Sequence, residues 1–129
     1  MSLDIDSYLG IHAKALEIRD KRSAVIANNI ANVDTPNFKA QDIDFKQVLR
    51  QFENKLPMLE TSHSQHMKSQ DNLLMAMKFR VPQQGSLDGN TVNKDVETTE
   101  FARNAMQYQA SLNFLNSKIK TVMTALRGE

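Results

Sequence analysis

From Ser7 to Val33 the apolar positions fall on two helical seams rather than one. One runs Leu9, Leu16, Ile26, Ile30 and Val33, with His12, Arg19 and Ser23 filling the remaining places of a four-three heptad register. The other runs Tyr8, Ile11, Ala15, Ile18 and Val25, with Arg22 and Asn29 in its gaps. At roughly 100° per residue the seams lie side by side and spread over more than half of the helix circumference. Such a helix needs partners on two sides, and several chains packing side by side are expected to supply them. Asp4, Asp6 and Ser7 place acid and a cap at its start, matching the positive end of the helix dipole.

The pattern stops in the stretch Ala27 to Ala40, which reads as a junction. Pro36 pushes Thr35 out of the α region, so the incoming helix must end near Val33 or Asp34. Asn37 tolerates the left-handed conformation that a chain reversal needs. Asn28, Asn29 and Asn32 lie on the last turns, where amide side chains can donate to unpaired carbonyls or reach across to a neighbour. Asp34 and Phe38 complete the run as the polar and the aromatic residue flanking the turn.

Beyond the junction, Asp42-Ile43-Asp44-Phe45 reads as a capped restart, with Phe45, Val48, Leu49 and Phe52 at helical spacing for about two turns. Lys55 to Met67 loses periodicity, and Pro57 with the Thr61 to His66 run predicts a loop or edge segment. Leu73 to Val81 is apolar, short and Met-rich, which leaves helix and strand both open. The Asp88-Gly89 pair could close a small hairpin between Lys78-Val81 and Thr91-Val92. Met58, Met67, Met75 and Met77 read as gap-fillers in loose packing.

The most regular pattern comes last. Phe101, Ala105, Tyr108, Leu112, Leu115, Ile119, Val122 and Leu126 alternate strictly by four and three, which is a coiled-coil seam. Asp95, Glu97 and Glu100 crowd the first turns, Lys118, Lys120 and Arg127 the last, and Gly128 supplies the stop, predicting a helix from about Asp95 to Arg127. The fold class expected is mainly α: long terminal helices pairing as a coiled coil, in an array of several chains packed side by side. Residues 1–36 and 93–129 would form one discontinuous core domain. Residues 37–92 would be an irregular, partly extended middle segment with a short helix.

Composition narrows the chemistry. The 129 residues contain no Cys and no Trp and only 6% aromatics, so disulfides, thiol catalysis and Cys-type zinc sites drop out and large core anchors are scarce. Sixteen basic against fifteen acidic residues give a charge of +1 without any block of one sign, so the electrostatic footprint of a nucleic-acid partner is missing. No apolar run is long enough to span a bilayer, and the acidic first twenty residues lack the basic and apolar regions of a Sec-type signal. Lys14, Lys21 and Arg22 are expected to form a solvated edge or to pair with acids on adjacent subunits.

The run Asn28-Asn29-Ile30-Ala31-Asn32-Val33-Asp34-Thr35-Pro36-Asn37-Phe38-Lys39-Ala40 resembles the N-terminal signature of the bacterial flagellar rod, hook and hook-associated axial proteins. Asp42-Ile43-Asp44-Phe45, Leu87-Asp88-Gly89-Asn90-Thr91-Val92 and Phe114-Leu115-Asn116-Ser117-Lys118 narrow the resemblance to the proximal rod members. Where that family commonly has Gly-Tyr after the proline, this chain has Asn37-Phe38, which keeps the turn and the ring but not a phenolic hydrogen bond. The resemblance implies a structural subunit that leaves the cytoplasm unfolded through the flagellar type III export apparatus without a cleaved signal. It would polymerise into the shaft that crosses the periplasm. The implied partners are other copies, the other proximal rod proteins, the rod-base adaptor and the inner-membrane ring; no cofactor is implied.

Two rival readings compete with it. His63 and His66, beside Ser62 and Ser64, could hold a metal or act as base and nucleophile. Zinc needs further ligands, no carboxylate lies inside the run, and no oxyanion-forming Gly motif accompanies the serines, so a polar loop is favoured. A soluble cytosolic coiled-coil adaptor would explain the last helix but leave the Asn-rich junction and the two-seamed first helix unaccounted for.

Overall fold

Nothing between Ile5 and Ala31 breaks a helix: the stretch contains no proline and is rich in Ala and Ile. In the computed structural model, which describes residues 5–53, 77–83 and 85–128, it forms α1, Ile5–Ala31. Three further elements follow before the last helix: β1 at Gln41–Ile43, α2 at Phe45–Glu53 and β2 at Met77–Phe79; α3 then runs Lys94–Arg127. The sites proposed around His63 and His66, the Lys55–Met67 segment, and Met58, Met67 and Met75 lie outside the described residues.

Gly128 ends α3 as its composition predicts, while the helix begins slightly earlier than expected, behind an Asn93 cap. Asn93 is extended (φ −110°, ψ 111°) and its side-chain oxygen accepts from the Asp95 and Val96 N–H groups; Gly128 ends the helix in the left-handed region (φ 73°). The 34 residues make a rod about 51 Å long at 1.5 Å per residue. α1 and α3 lie against each other antiparallel: Asn29 meets Glu97, Ser23 meets Asn104 and Arg19 meets Ser111, so one helix ascends as the other descends.

Strands β1 and β2 pair antiparallel, with Gln41 opposite Phe79, Asp42 opposite Lys78 and Ile43 opposite Met77. This settles the open choice at Leu73 to Val81 in favour of strand for Met77–Phe79. It also corrects two expectations. β2 pairs with β1 and not with Thr91-Val92, because Thr91 spends its backbone N–H on the Phe38 carbonyl and its hydroxyl on the Ala40 N–H. The restart begins at Phe45, since Asp42 and Ile43 belong to β1. Asp44 alone is the cap, its carboxylate accepting from the Gln47 N–H at 3.0 Å.

The apolar core is small: Ile18 of α1, Ile43 of β1 and Val48 of α2, with Val25, Phe45, Leu49 and Met77 packed round it. Met77 is therefore part of the core lining. The second seam of α1 faces this cluster, while Arg19 and Ser23 of the first seam face α3. Both sides of α1 find partners within one chain. The middle segment folds back far enough to supply the second surface.

Candidate assembly junction

The junction starts where α1 runs out of partners. Past Ala31 the backbone descends through single turns: Asn32 N–H to the Asn28 and Asn29 carbonyls, Val33 to Ile30, Thr35 to Asn32 and Phe38 to Thr35. The helix ends slightly before Val33, because Asn32 already folds back on itself: its amide donates to the Asn28 carbonyl at 2.8 Å and its side-chain oxygen accepts from the Thr35 hydroxyl. Asn37 sits at φ 60°, the reversal expected of it. Asp34, Thr35, Pro36 and Asn37 are exposed and Phe38 is half-buried.

The carbonyls released by this unwinding are collected by one distant side chain. Asn90 is 6% exposed, and its amide nitrogen lies 3.0, 2.7 and 2.9 Å from the carbonyl oxygens of Asn32, Val33 and Thr35. Two N–H hydrogens are shared among three acceptors, and the Asn90 side-chain oxygen in turn accepts from the Val92 N–H at 2.8 Å. Asn90 is delivered by a tight turn. Asp88 accepts from the Ser86 hydroxyl and the Asn90 N–H, which together hold its carboxyl below the ordinary range. Gly89 is left-handed at φ 74°, where a β-carbon would come 2.5 Å from the Asn37 side-chain oxygen. The two left-handed residues thus fill each other's space, and the Asn37 N–H closes the contact on the Asp88 carbonyl at 2.9 Å.

Deeper in, Asn29 is fully buried and reads both flanking elements. It exchanges a pair of hydrogen bonds with the backbone of Gln41, and its amide also reaches Glu97 at 3.0 Å. Its amide therefore does not reach a neighbouring chain, one of the two options open from sequence.

Beside it lies a charge cluster joining every layer. Arg22 of α1 grips Asp42 of β1 with two hydrogen bonds of 2.7 and 2.8 Å and reaches Glu100 of α3 at 2.9 Å. Arg80, just past β2, lies 3.0 Å from Asp42 and 2.9 Å from Glu97, as close charge contacts without the linear geometry of hydrogen bonds. Glu97 is 1% exposed. Burial pushes the Asp42 carboxyl up, but the Arg22 hydrogen bonds and the Arg22 and Arg80 charges outweigh it and hold it below its ordinary value. The Asp42 hydrogen bond correspondingly raises Arg22.

This corrects the expectation for Arg22, which neither lies on a solvated edge nor awaits an adjacent subunit. Lys14 and Lys21 do form such an edge, both pairing with Glu17 one turn away. Asp42, Glu97 and Glu100, read from sequence as caps and dipole partners, are the anionic half of the cluster. The signal for Arg22 and Asn29 was their seven-residue spacing inside an apolar seam. Nothing local marked Arg80.

The seams divide unequally. On α1, Ile18 and Ile26 are fully buried, and Leu9, Ile11, Leu16, Val25 and Ile30 half-buried. On α3 the line meeting α1 is not the apolar seam but the polar one beside it: Glu97 (bonded to Asn29), Asn104 (fully buried, its amide donating to the Arg19 carbonyl and the Ser23 hydroxyl) and Ser111 (bonded to Arg19). Of the seam itself, Tyr108, Leu112, Leu115 and Val122 are half-buried, whereas Ala105 is exposed and Phe101, Ile119 and Leu126 are 41, 37 and 76% exposed. Among the described residues no group of three His, Cys, Asp or Glu is placed to hold a metal, and no helix is long and apolar enough to cross a membrane.

Comparison with known proteins places these features in a family. Residues 9–39, covering most of α1 and the junction, match the family model described as flagella basal body rod protein. Over the whole chain the sequence is 43% identical to the flagellar basal body rod protein FlgB of Aeromonas hydrophila, across 100% of this chain and 99% of that relative. It is 39% identical to the FlgB of Escherichia coli strain K12 across 95% of each, and 42% identical to that of Proteus mirabilis across 88% of this chain and 89% of the relative.

Proposed function

The chain belongs to the flagellar basal body rod protein family and is a structural subunit of the basal-body rod; from that premise we propose that it polymerises into the proximal part of the drive shaft, crossing the periplasm and transmitting torque. The observation that carries the finer reading is the apolar line Ala105, Leu112, Ile119 and Leu126, which α3 turns away from α1 and which one chain leaves largely uncovered. In this reading neighbouring copies and the other proximal rod proteins cover that line, while the rod-base adaptor and the inner-membrane ring meet the ends of the assembly. The junction acts by geometry: Asn28, Asn29, Asn32 and Asp34 to Phe38 end α1 and turn the chain so that β1 and α2 pack back along it, and they carry out no catalytic step. The chain reaches its site through the type III export apparatus without losing a signal peptide. Its charges pair inside the fold without Cys, so nothing covalent has to be undone before passage.

Purification of basal bodies from motile cells tests this. The chain is expected in the rod fraction with an intact N-terminus, and Leu112→Asp or Leu115→Asp is expected to block incorporation while secretion continues, since an unpaired charge disrupts packing and not unfolded transit. Recovery only from the cytosol of motile cells would overturn the reading in favour of a soluble adaptor.

A further inference from the structure

A four-three seam on α3 would normally point at its partner helix, yet here α3 is turned so that the polar line Glu97, Asn104, Ser111 faces α1. In a coiled coil, the line Phe101, Tyr108, Leu115, Val122 lies about 50° round from it, and Ala105, Leu112, Ile119, Leu126 about 100° round. Asn104 on the polar line is wholly buried, Tyr108, Leu115 and Val122 on the first apolar line are half-buried, and on the second Ala105, Ile119 and Leu126 are exposed while Leu112 is half-buried. Apolar burial alone favours a further turn of about 50°, which would seat both apolar lines on α1.

We propose that Asn104 is a positioning residue that holds α3 at this rotation and so keeps the Ala105 line turned outward; its relevance to assembly rests on the rod reading above. Asn104 is wholly buried near the middle of the contact, and its amide donates to the Arg19 carbonyl at 2.8 Å and the Ser23 hydroxyl at 2.7 Å. A 50° turn would carry that amide out of hydrogen-bond range of both. Its side-chain oxygen finds no partner among the described residues. A buried carbonyl left unpaired weakens the helix pair, so this amide specifies an arrangement rather than maximising its stability. The remaining polar contacts lie toward the ends of the helix pair or on long side chains that can follow a rotation: Arg22 meets Glu100 at 2.9 Å near the start of α3, and Arg19 reaches Gln107 at 2.6 Å. Glu97 lies in the first turn, already pinned by the Asn93 cap, and Ser111 is reached at 3.2 Å by the long Arg19 side chain.

The absence of Cys makes the test direct. Single cysteines are introduced as Ala105→Cys, on the outward line, and Met106→Cys, on the far side of the helix and 69% exposed, and their thiol-labelling rates are measured in the isolated full chain. Adding Asn104→Leu is expected to slow labelling at position 105 roughly tenfold and leave position 106 unchanged, as the first becomes protected by α1. In basal bodies the Asn104→Leu chain is expected to incorporate poorly although it remains helical. Unchanged labelling at position 105 in a folded Asn104→Leu chain would overturn the proposal. If that chain unfolds, raising both rates, Asn104→Ala is measured in its place; a slower position 105 supports the proposal, and no change, or unfolding again, overturns it by making Asn104 a requirement of stability alone. Because labelling reads the single chain, its outcome is separate from that of the rod reading, which fails only if the parent chain is missing from basal bodies.

Discussion

Asn90→Ala removes the side chain that closes the end of α1. The Val33 carbonyl loses its donor, the Asn32 and Thr35 carbonyls keep only the Thr35 and Phe38 backbone N–H groups, and the Val92 N–H loses its acceptor at a site 6% exposed. At about 0.5–1.5 kcal/mol for each hydrogen bond, and more where a buried group is left unpaired, the loss sums to about 2–4 kcal/mol. Urea unfolding followed by circular dichroism reads it directly: with a slope of about 1–3 kcal/mol per molar, the midpoint should fall by about 1–2 M at unchanged slope. Asn90→Asp sharpens the test because it keeps the shape but, when ionised, offers only acceptors to three carbonyls. At neutral pH it should be at least as destabilising as alanine, and it should recover part of the loss on acidification, when a protonated carboxyl can donate once. The reasoning is refuted if both variants stay within about 0.5 kcal/mol of the parent, below the value of a single hydrogen bond, or if the Asp variant is the more stable of the two at neutral pH.

Other consequences follow from the same geometry. The Asp42 carboxyl is held below its unfolded value, so its contribution is present above about pH 4 and is lost as pH falls through the lower folded value. Thermal unfolding between pH 6 and 3 should show that loss, and Arg22→Met should flatten it while lowering stability throughout. Gly89→Ala should destabilise by about 1–3 kcal/mol, since a β-carbon there meets the Asn37 oxygen at φ 74°; adding Asn37→Gly should restore the steric part and not the dihedral part. Glu97→Gln keeps the bond from Asn29 but leaves Arg80 without its buried counter-charge, and hydrogen exchange should report faster opening of the first turns of α3 than of its middle. A variant that exchanges uniformly along α3 would argue against a local role for the cluster.

The helices and their ends could be read from residue order because their causes are local. Pro36 and Asn37 stop and turn the chain by sterics acting over one or two residues, Gly128 ends α3 by the same kind of short-range geometry, and heptad spacing is a property of a single helix. Strand pairing was not readable in this way. Lys78-Val81 could have joined Thr91-Val92 across a short turn, but Phe38 and Ala40 engage Thr91 and the strand, Met77–Phe79, pairs with β1 instead.

The same division runs through the site. The identity of the junction residues, the apolar lines on both terminal helices and the resemblance to axial proteins of the flagellum were all present in the sequence by itself. Which line of α3 faces α1 was decided only by tertiary structure. A hydrophobic repeat states that a face will be buried but not by what, whereas the hydrogen bonds from Asn104 to Arg19 and Ser23 and from Asn29 to Glu97 are directional and choose one rotation among several of similar apolar area. Arg22, Asp42, Arg80 and Glu97 illustrate the same point for charge. Spread over some seventy-five residues of sequence, they become one cluster because folding brings α1, both strands and α3 to a single place, where burial makes each depend on the others.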